Sequence, residues 1–157
     1  MIDDTDRRHL QRCIELAREA VEAGDEPFGS VLVAEDGTVL VEDRNRVGGG
    51  DDTRHPELAL AQWAGRHLPR EARAAATVYT SGEHCPMCSA AHGWVGLGRI
   101  VYAASSRQLT TWQAELGAPP SPVRTLSIRD VVPGAVVDGP VEDLAGTVKE
   151  LLVRSQR

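Results

Sequence analysis

Two proline-containing motifs, His55-Pro56-Glu57 and Cys85-Pro86-Met87-Cys88, constrain this chain more than any other feature. One imidazole and two thiols make three ligands, the number a catalytic zinc takes from protein, with a fourth position left to water. Glu57 stands two residues past His55, close enough to work on that water without binding the metal. In each motif a proline follows the first ligand. Proline is favoured at the first helical position, where the N–H it lacks would have no partner. The pattern therefore predicts His55 and Cys85 as the N-caps of two new helices, with both helix starts facing one ion. Two thiolates and a neutral imidazole cancel the charge of Zn2+, and the positive helix ends offset part of that loss. The proton traffic then falls to Glu57 as general base and acid.

The rest of the composition narrows the field. A chain of 157 residues, 41% hydrophobic and 25% charged, is expected to form one domain over residues 1–157 with a real core. Its net charge is −6, Lys149 is its single lysine, and its arginines are scattered among acids. Phosphate neutralisation supplies most of the affinity of nucleic-acid binders, so this balance argues against a polynucleotide partner. Six aromatic residues are also too few for a base-stacking surface. The first residues contain no apolar run of the signal-peptide kind, and no stretch has the length to cross a bilayer. Three cysteines, two of them in one Cys-x-x-Cys, form no disulfide framework, and a reducing cytoplasm is the expected compartment.

Periodicity predicts alternating elements. Leu10, Ile14, Ala17 and Val21 give a helix over 5–23 with Gly24 as its stop, and Cys13 falls in phase with this apolar face. Residues 28–34 and 39–42 read as a hairpin around Asp36-Gly37. Gly48 to Asp52 reads as a flexible loop, since no Lys-Ser or Lys-Thr follows and its aspartates would repel phosphate. Helices are expected over 56–67, ended by Pro69, and over 86–95. Strands are expected over 76–80 and 100–103. A helix over 108–116 precedes a Gly/Pro-rich loop over 117–122. A last strand is expected over 124–128, extending as far as 132, then an amphipathic helix carrying Val141, Leu144, Val148, Leu151 and Leu152. This order predicts a mixed sheet with helices on both faces.

Two other readings compete for the cysteines. A Cys-x-x-Cys that follows a strand and opens a helix also suits a redox dithiol, but that leaves His55-Pro56-Glu57 unexplained. A closed structural zinc would need a fourth ligand, for which His84 and His92 are the candidates. His9 and His67 read as solvated, and Trp63, Trp94 and Trp112 as core or subunit interface.

The two motifs resemble those of the cytidine deaminase superfamily, most closely its branch of tRNA adenosine deaminases, guanine deaminases and yeast-type cytosine deaminases. Pro27-Phe28-Gly29-Ser30-Val31-Leu32-Val33 is similar to that family's first hairpin strand and Asn45-Arg46 to the end of its second. The resemblance implies an α/β three-layer α-β-α sandwich with a mixed central sheet of about five strands, and a homodimer. It implies hydrolysis of an exocyclic amine to a carbonyl with release of ammonia. Carried over by position, His55, Cys85 and Cys88 would bind Zn2+, and Glu57 would shuttle protons. Asn45 would hydrogen-bond the heterocycle, and Phe28 would pack on the pocket.

Two departures bear on the substrate. His84 stands where the family motif usually has proline, which suggests a contribution of His84 to base specificity. Pro56 has no N–H to offer a base. The acidic charge and Phe28 favour a small free heterocyclic amine of guanine, cytosine or aminotriazine type. A tRNA wobble adenosine or a pyrimidine nucleoside is the alternative.

Overall fold

The computed structural model describes residues 1–156. In chain order the elements are α1 (Asp4–Glu22), β1 (Gly29–Val33), β2 (Val39–Arg44), α2 (Pro56–His67), α3 (Arg70–Ala75), β3 (Thr77–Gly82) and α4 (Pro86–Val95). There follow β4 (Ile100–Ala104), α5 (Ser106–Glu115), α6 (Ile128–Val131), β5 (Val137–Asp138) and α7 (Glu142–Ser155), and a short 3-10 turn spans Val47–Gly49. The sheet runs β2-β1-β3-β4-β5. β1 is antiparallel to both β2 and β3, whereas β3, β4 and β5 are parallel. This is the expected mixed five-stranded sheet.

Alternation along the strands assigns the two faces. Val31, Val33, Tyr79, Val101 and Ala103 pack under α1, α5 and α7, through Leu10, Ile14, Leu109, Val148 and Leu151 among others. Leu32, Val78 and Ile100 point the opposite way, against Leu60, Ala61 and Ala64 of α2 and the apolar sides of α4 and α6. All five residues of β1 are buried, as a strand covered on both faces requires. Cys13 belongs to this core, as its phase predicts. Gly29 is where α1 comes closest, since a Cβ there would stand 2.4 Å from the Cys13 carbonyl oxygen and 2.5 Å from Leu16 Cβ.

The structure corrects the expected elements in three places. Residues 124–128 form no strand; Ser127 caps α6 through a reciprocal box with Asp130, and the last strand comes later, as β5. Pro69 ends α2 but also serves as the N-cap of the short α3, a helix the sequence reading left out. The glycine-rich loop is tethered at its start, where Gly48 N–H donates to Asp25 Oδ1 at 2.7 Å. His67 is exposed, as expected, but His9 is half-buried, its ring 4.7 Å from that of Tyr79. Among the described residues no helix is long and apolar enough to cross a membrane.

Candidate active site

His55 and Cys85 occupy the N-caps of α2 and α4, each followed by proline inside the first turn. Neither side chain caps its own helix. Both are thereby free to turn toward each other across the ends of the two helices, which pack side by side on one face of the sheet. His55 Nδ1 lies 3.5 Å from Cys85 Sγ and 3.6 Å from Cys88 Sγ. A tetrahedral ion with metal–sulfur and metal–nitrogen bonds of about 2.3 and 2.05 Å requires an N···S edge of roughly 3.6 Å. The three donor atoms are therefore spaced as zinc would hold them. Among the described residues this trio is the one group of three histidine, cysteine or acidic side chains close enough to share an ion. His84 and His92 lie outside it, so neither closes the tetrahedron. His92 Nε2 instead lies 2.9 Å from the Gly98 carbonyl oxygen.

The donors polarise one another. A hydrogen bond with Cys88 and another with His55 bring the Cys85 thiol down to about 4, against the opposing effect of burial. His55 is raised to about 9, chiefly by its bond to Cys85. Cys88 is pushed up, first by the hydrogen bond to Cys85, then by burial and the nearby charge of Glu57. The shifts of His55 and Cys85 share one cause, their mutual hydrogen bond, and an ion bound there would displace the proton between them.

Glu57, in the first turn of α2, is 6% exposed, and burial raises its carboxyl above the ordinary range. Its Oε1 accepts hydrogen bonds at 2.9 Å from Ser30 Oγ of β1 and from Thr80 Oγ1 of β3. The sequence reading missed both hydroxyls. Their only signal was a hydroxyl side chain at a strand position that the alternation turns toward α2.

The remaining predicted residues fall in two places. Asn45 N–H donates to the Phe28 carbonyl at 2.9 Å, and Arg46 N–H donates to the Arg54 carbonyl at 3.0 Å. The chain after Asn45 therefore runs beside the chain entering His55. Asn45 is buried, and its Oδ1 accepts from Val47 N–H at 3.0 Å and from Glu26 N–H at 3.3 Å. The amide is fixed by its oxygen, which leaves its NH2 to donate. The Phe28 ring lies against Gly82, three residues before Cys85. His84 goes elsewhere: its ring is buried, perpendicular to that of His92 at 5.4 Å, and burial holds its pKa well below the usual value. Glu83 was also missed. Its carboxylate accepts the Ser106 N–H at 3.0 Å and the Ile128 N–H at 2.8 Å, the first N–H groups of α5 and α6.

A mixed sheet between two helical layers, with an open histidine–cysteine–cysteine site and a buried glutamate beside it, defines a class of hydrolytic zinc enzymes. Residues 3–104 match the family model described as the cytidine and deoxycytidylate deaminase zinc-binding region. The chain belongs to this family. It is 31% identical over 137 residues to a probable cytosine deaminase of Schizosaccharomyces pombe, a match covering 85% of this chain and 80% of that protein. It is 38% identical over 97 residues to the guanine deaminase of Bacillus subtilis, covering 60% of this chain and 62% of that one. The guanine deaminase of Nitrosomonas europaea shares the fold, with a TM-score of 0.70 at 24% identity, over 99% of this chain and 86% of that one.

Proposed function

We propose that this protein is a zinc-dependent aminohydrolase of free nucleobases, with cytosine and guanine as the leading substrates. The spacing of His55, Cys85 and Cys88 carries the reading, because it suits three ligands of a tetrahedral ion beside a buried carboxylate. When bound there, zinc supplies the Lewis acidity that activates a water at the open vertex. Glu57 takes one proton from that water and delivers it to the departing amine. The water oxygen becomes the new carbonyl oxygen, one of its hydrogens leaves with the amine as ammonia, and the other ends on the neighbouring ring nitrogen.

Phe28 forms one wall for the ring. The Asn45 NH2 requires an acceptor on the base, and a ring carbonyl of cytosine or guanine supplies one where adenine has only ring nitrogens. Pro56 offers no N–H on the opposite flank. His84 influences base choice through its packing on His92 and α4. The acidic net charge favours a free base over a tRNA.

The protein is taken to work in a reducing cytoplasm, where its ligand thiols stay reduced. The expected assembly is a homodimer, with Trp94, 82% exposed on α4, as a candidate contact. Sedimentation at micromolar concentration tests that assembly.

The deciding experiment measures ammonia release from a panel of free bases, nucleosides and a tRNA anticodon stem-loop. Turnover of cytosine or guanine, abolished in Glu57→Ala with zinc content intact, is the expected result. Turnover of the stem-loop alone, or of nothing in the panel, overturns the reading. Unchanged relative activity across the bases in His84→Ala removes that residue from the specificity determinants.

A further inference from the structure

Ser30 and Thr80 are direct partners in the antiparallel β1–β3 pair, and both side chains point to the face covered by α2. Neither has any exposed surface. Their hydroxyls lie 2.9 Å apart, and each lies 2.9 Å from the same atom, Oε1 of Glu57. The two hydroxyls share Oε1, and the Cys88 thiol lies beside the same carboxyl on the side of the metal ligands. The sheet thus grips the carboxyl by one oxygen and leaves the other to face the ligand cluster.

We propose that Ser30 and Thr80 are positioning residues of the reaction, fixing Glu57 through Oε1 so that Oε2 is the oxygen that handles protons. The inference rests on the reading of Glu57 as the proton-transfer group given above. Three features support it. The grip comes from two paired, buried strands of the central sheet, whereas Glu57 hangs from the first turn of a helix and has three side-chain torsions of its own. Two bonds to one oxygen from neighbouring strands set both the place of the carboxyl and its rotation about the last torsion, and errors of an ångström in such groups are costly to rate. The donors are also neutral. A lysine or arginine would hold the carboxylate as firmly but would make it a poorer base.

The oxygens also have spare capacity. Thr80 Oγ1 lies 2.9 Å from the Gly82 carbonyl oxygen, so its hydrogen has a second acceptor within reach. No group in the triad is left unpaired when either hydroxyl rotates, which suits a position that must stay ordered throughout turnover.

The test compares Ser30→Ala, Thr80→Val, the double variant and Thr80→Ser with the parent enzyme on whichever free base it turns over best. Each of the first two is expected to lower kcat about tenfold, and the double variant further, with KM within about twofold and zinc content unchanged. Thr80→Ser keeps the hydroxyl and is expected to recover kcat to within roughly threefold of the parent. A readout independent of turnover is the 13C resonance of the Glu57 carboxyl, assigned by its loss in Glu57→Gln. It is expected to shift or broaden in Thr80→Val and to return in Thr80→Ser. Unchanged kcat in both single variants, or equal damage in Thr80→Ser and Thr80→Val, overturns the inference and points to the methyl group's packing. A parent enzyme inactive on every free base overturns the functional reading instead, and the carboxyl resonance still decides whether the hydroxyls hold Glu57.

Discussion

The carboxylate of Glu83 accepts the backbone N–H of Ile128 at 2.8 Å, across 45 residues of sequence. Its other oxygen holds Ser106 N–H, so one side chain two positions before Cys85 secures the first free donors of α5 and α6. Residues 106–128, which are α5 and the exposed stretch after it, are thus fastened at both ends to the residue that follows β3.

Replacing Glu83 by glutamine leaves one acceptor oxygen for two donors and sets an NH2 against the other. Loss of one charge-assisted bond costs about 2 kcal/mol, or roughly 5 °C in Tm for a chain of this size. Limited trypsin digestion is expected to cleave faster at Arg124, which lies exposed in that stretch. Parent-like digestion at Arg124 would show that the clamp does not restrain the segment.

Acid sensitivity should centre on Asp6. Burial works to raise its carboxyl, but bonds from Arg99, the Asp3 N–H and Tyr79 overcome this and bring it to about 2, against an ordinary 3.8. A carboxyl depressed by folding contributes stability that is complete above its ordinary value and lost as pH falls toward 2. Asp6→Asn should therefore lose about 2 kcal/mol at pH 7 and much less at pH 2. Urea unfolding at the two pH values measures the difference. An equal loss at both would assign the effect to packing.

Close approach at Gly29 makes a third prediction. An alanine there would drive its Cβ into the backbone of α1 at the Cys13 oxygen and Ala17 nitrogen, neither of which can swing aside as a flexible side chain does. Gly29→Ala is expected to lower stability by about 2–3 kcal/mol, read as a shift in the urea midpoint with an unchanged slope.

Removing the metal with a picolinate chelator should abolish ammonia release and lower Tm by ~5 °C or more, both restored by stoichiometric zinc. Cys88→Ser should bind zinc at least tenfold more weakly, because a buried hydroxyl replaces a thiolate. A Tm indifferent to chelation would mean that the ion adds nothing to the cohesion of the two helices.

Much of this molecule was legible from residue type and spacing. The starts of α2 and α4 follow from prolines at their first positions, and the clustering of His55, Cys85 and Cys88 follows from His55-Pro56-Glu57 and Cys85-Pro86-Met87-Cys88. Local signals failed where two readings compete over few residues. Thr125, Leu126 and Ile128 look like a strand, yet the reciprocal bonds of Ser127 and Asp130 make a helical turn that Glu83 then caps. β5 is only two residues long and is held beside β4 by pairing, with Arg99 bonded to Asp138, so no local pattern announces it. Ser30, Thr80 and Glu83 escaped for a related reason. Their roles depend on what lies opposite them across the sheet, and neighbours in sequence carry no trace of that.

His55 and Cys85 stand 30 positions apart, each at the start of its own helix. Neither helix start on its own offers an ion enough ligands, and the two are brought together by the pairing of β1 with β3 and the packing of α2 on α4. An ion held there would tie α2 to α4 and so join the two halves of the sheet that carry them.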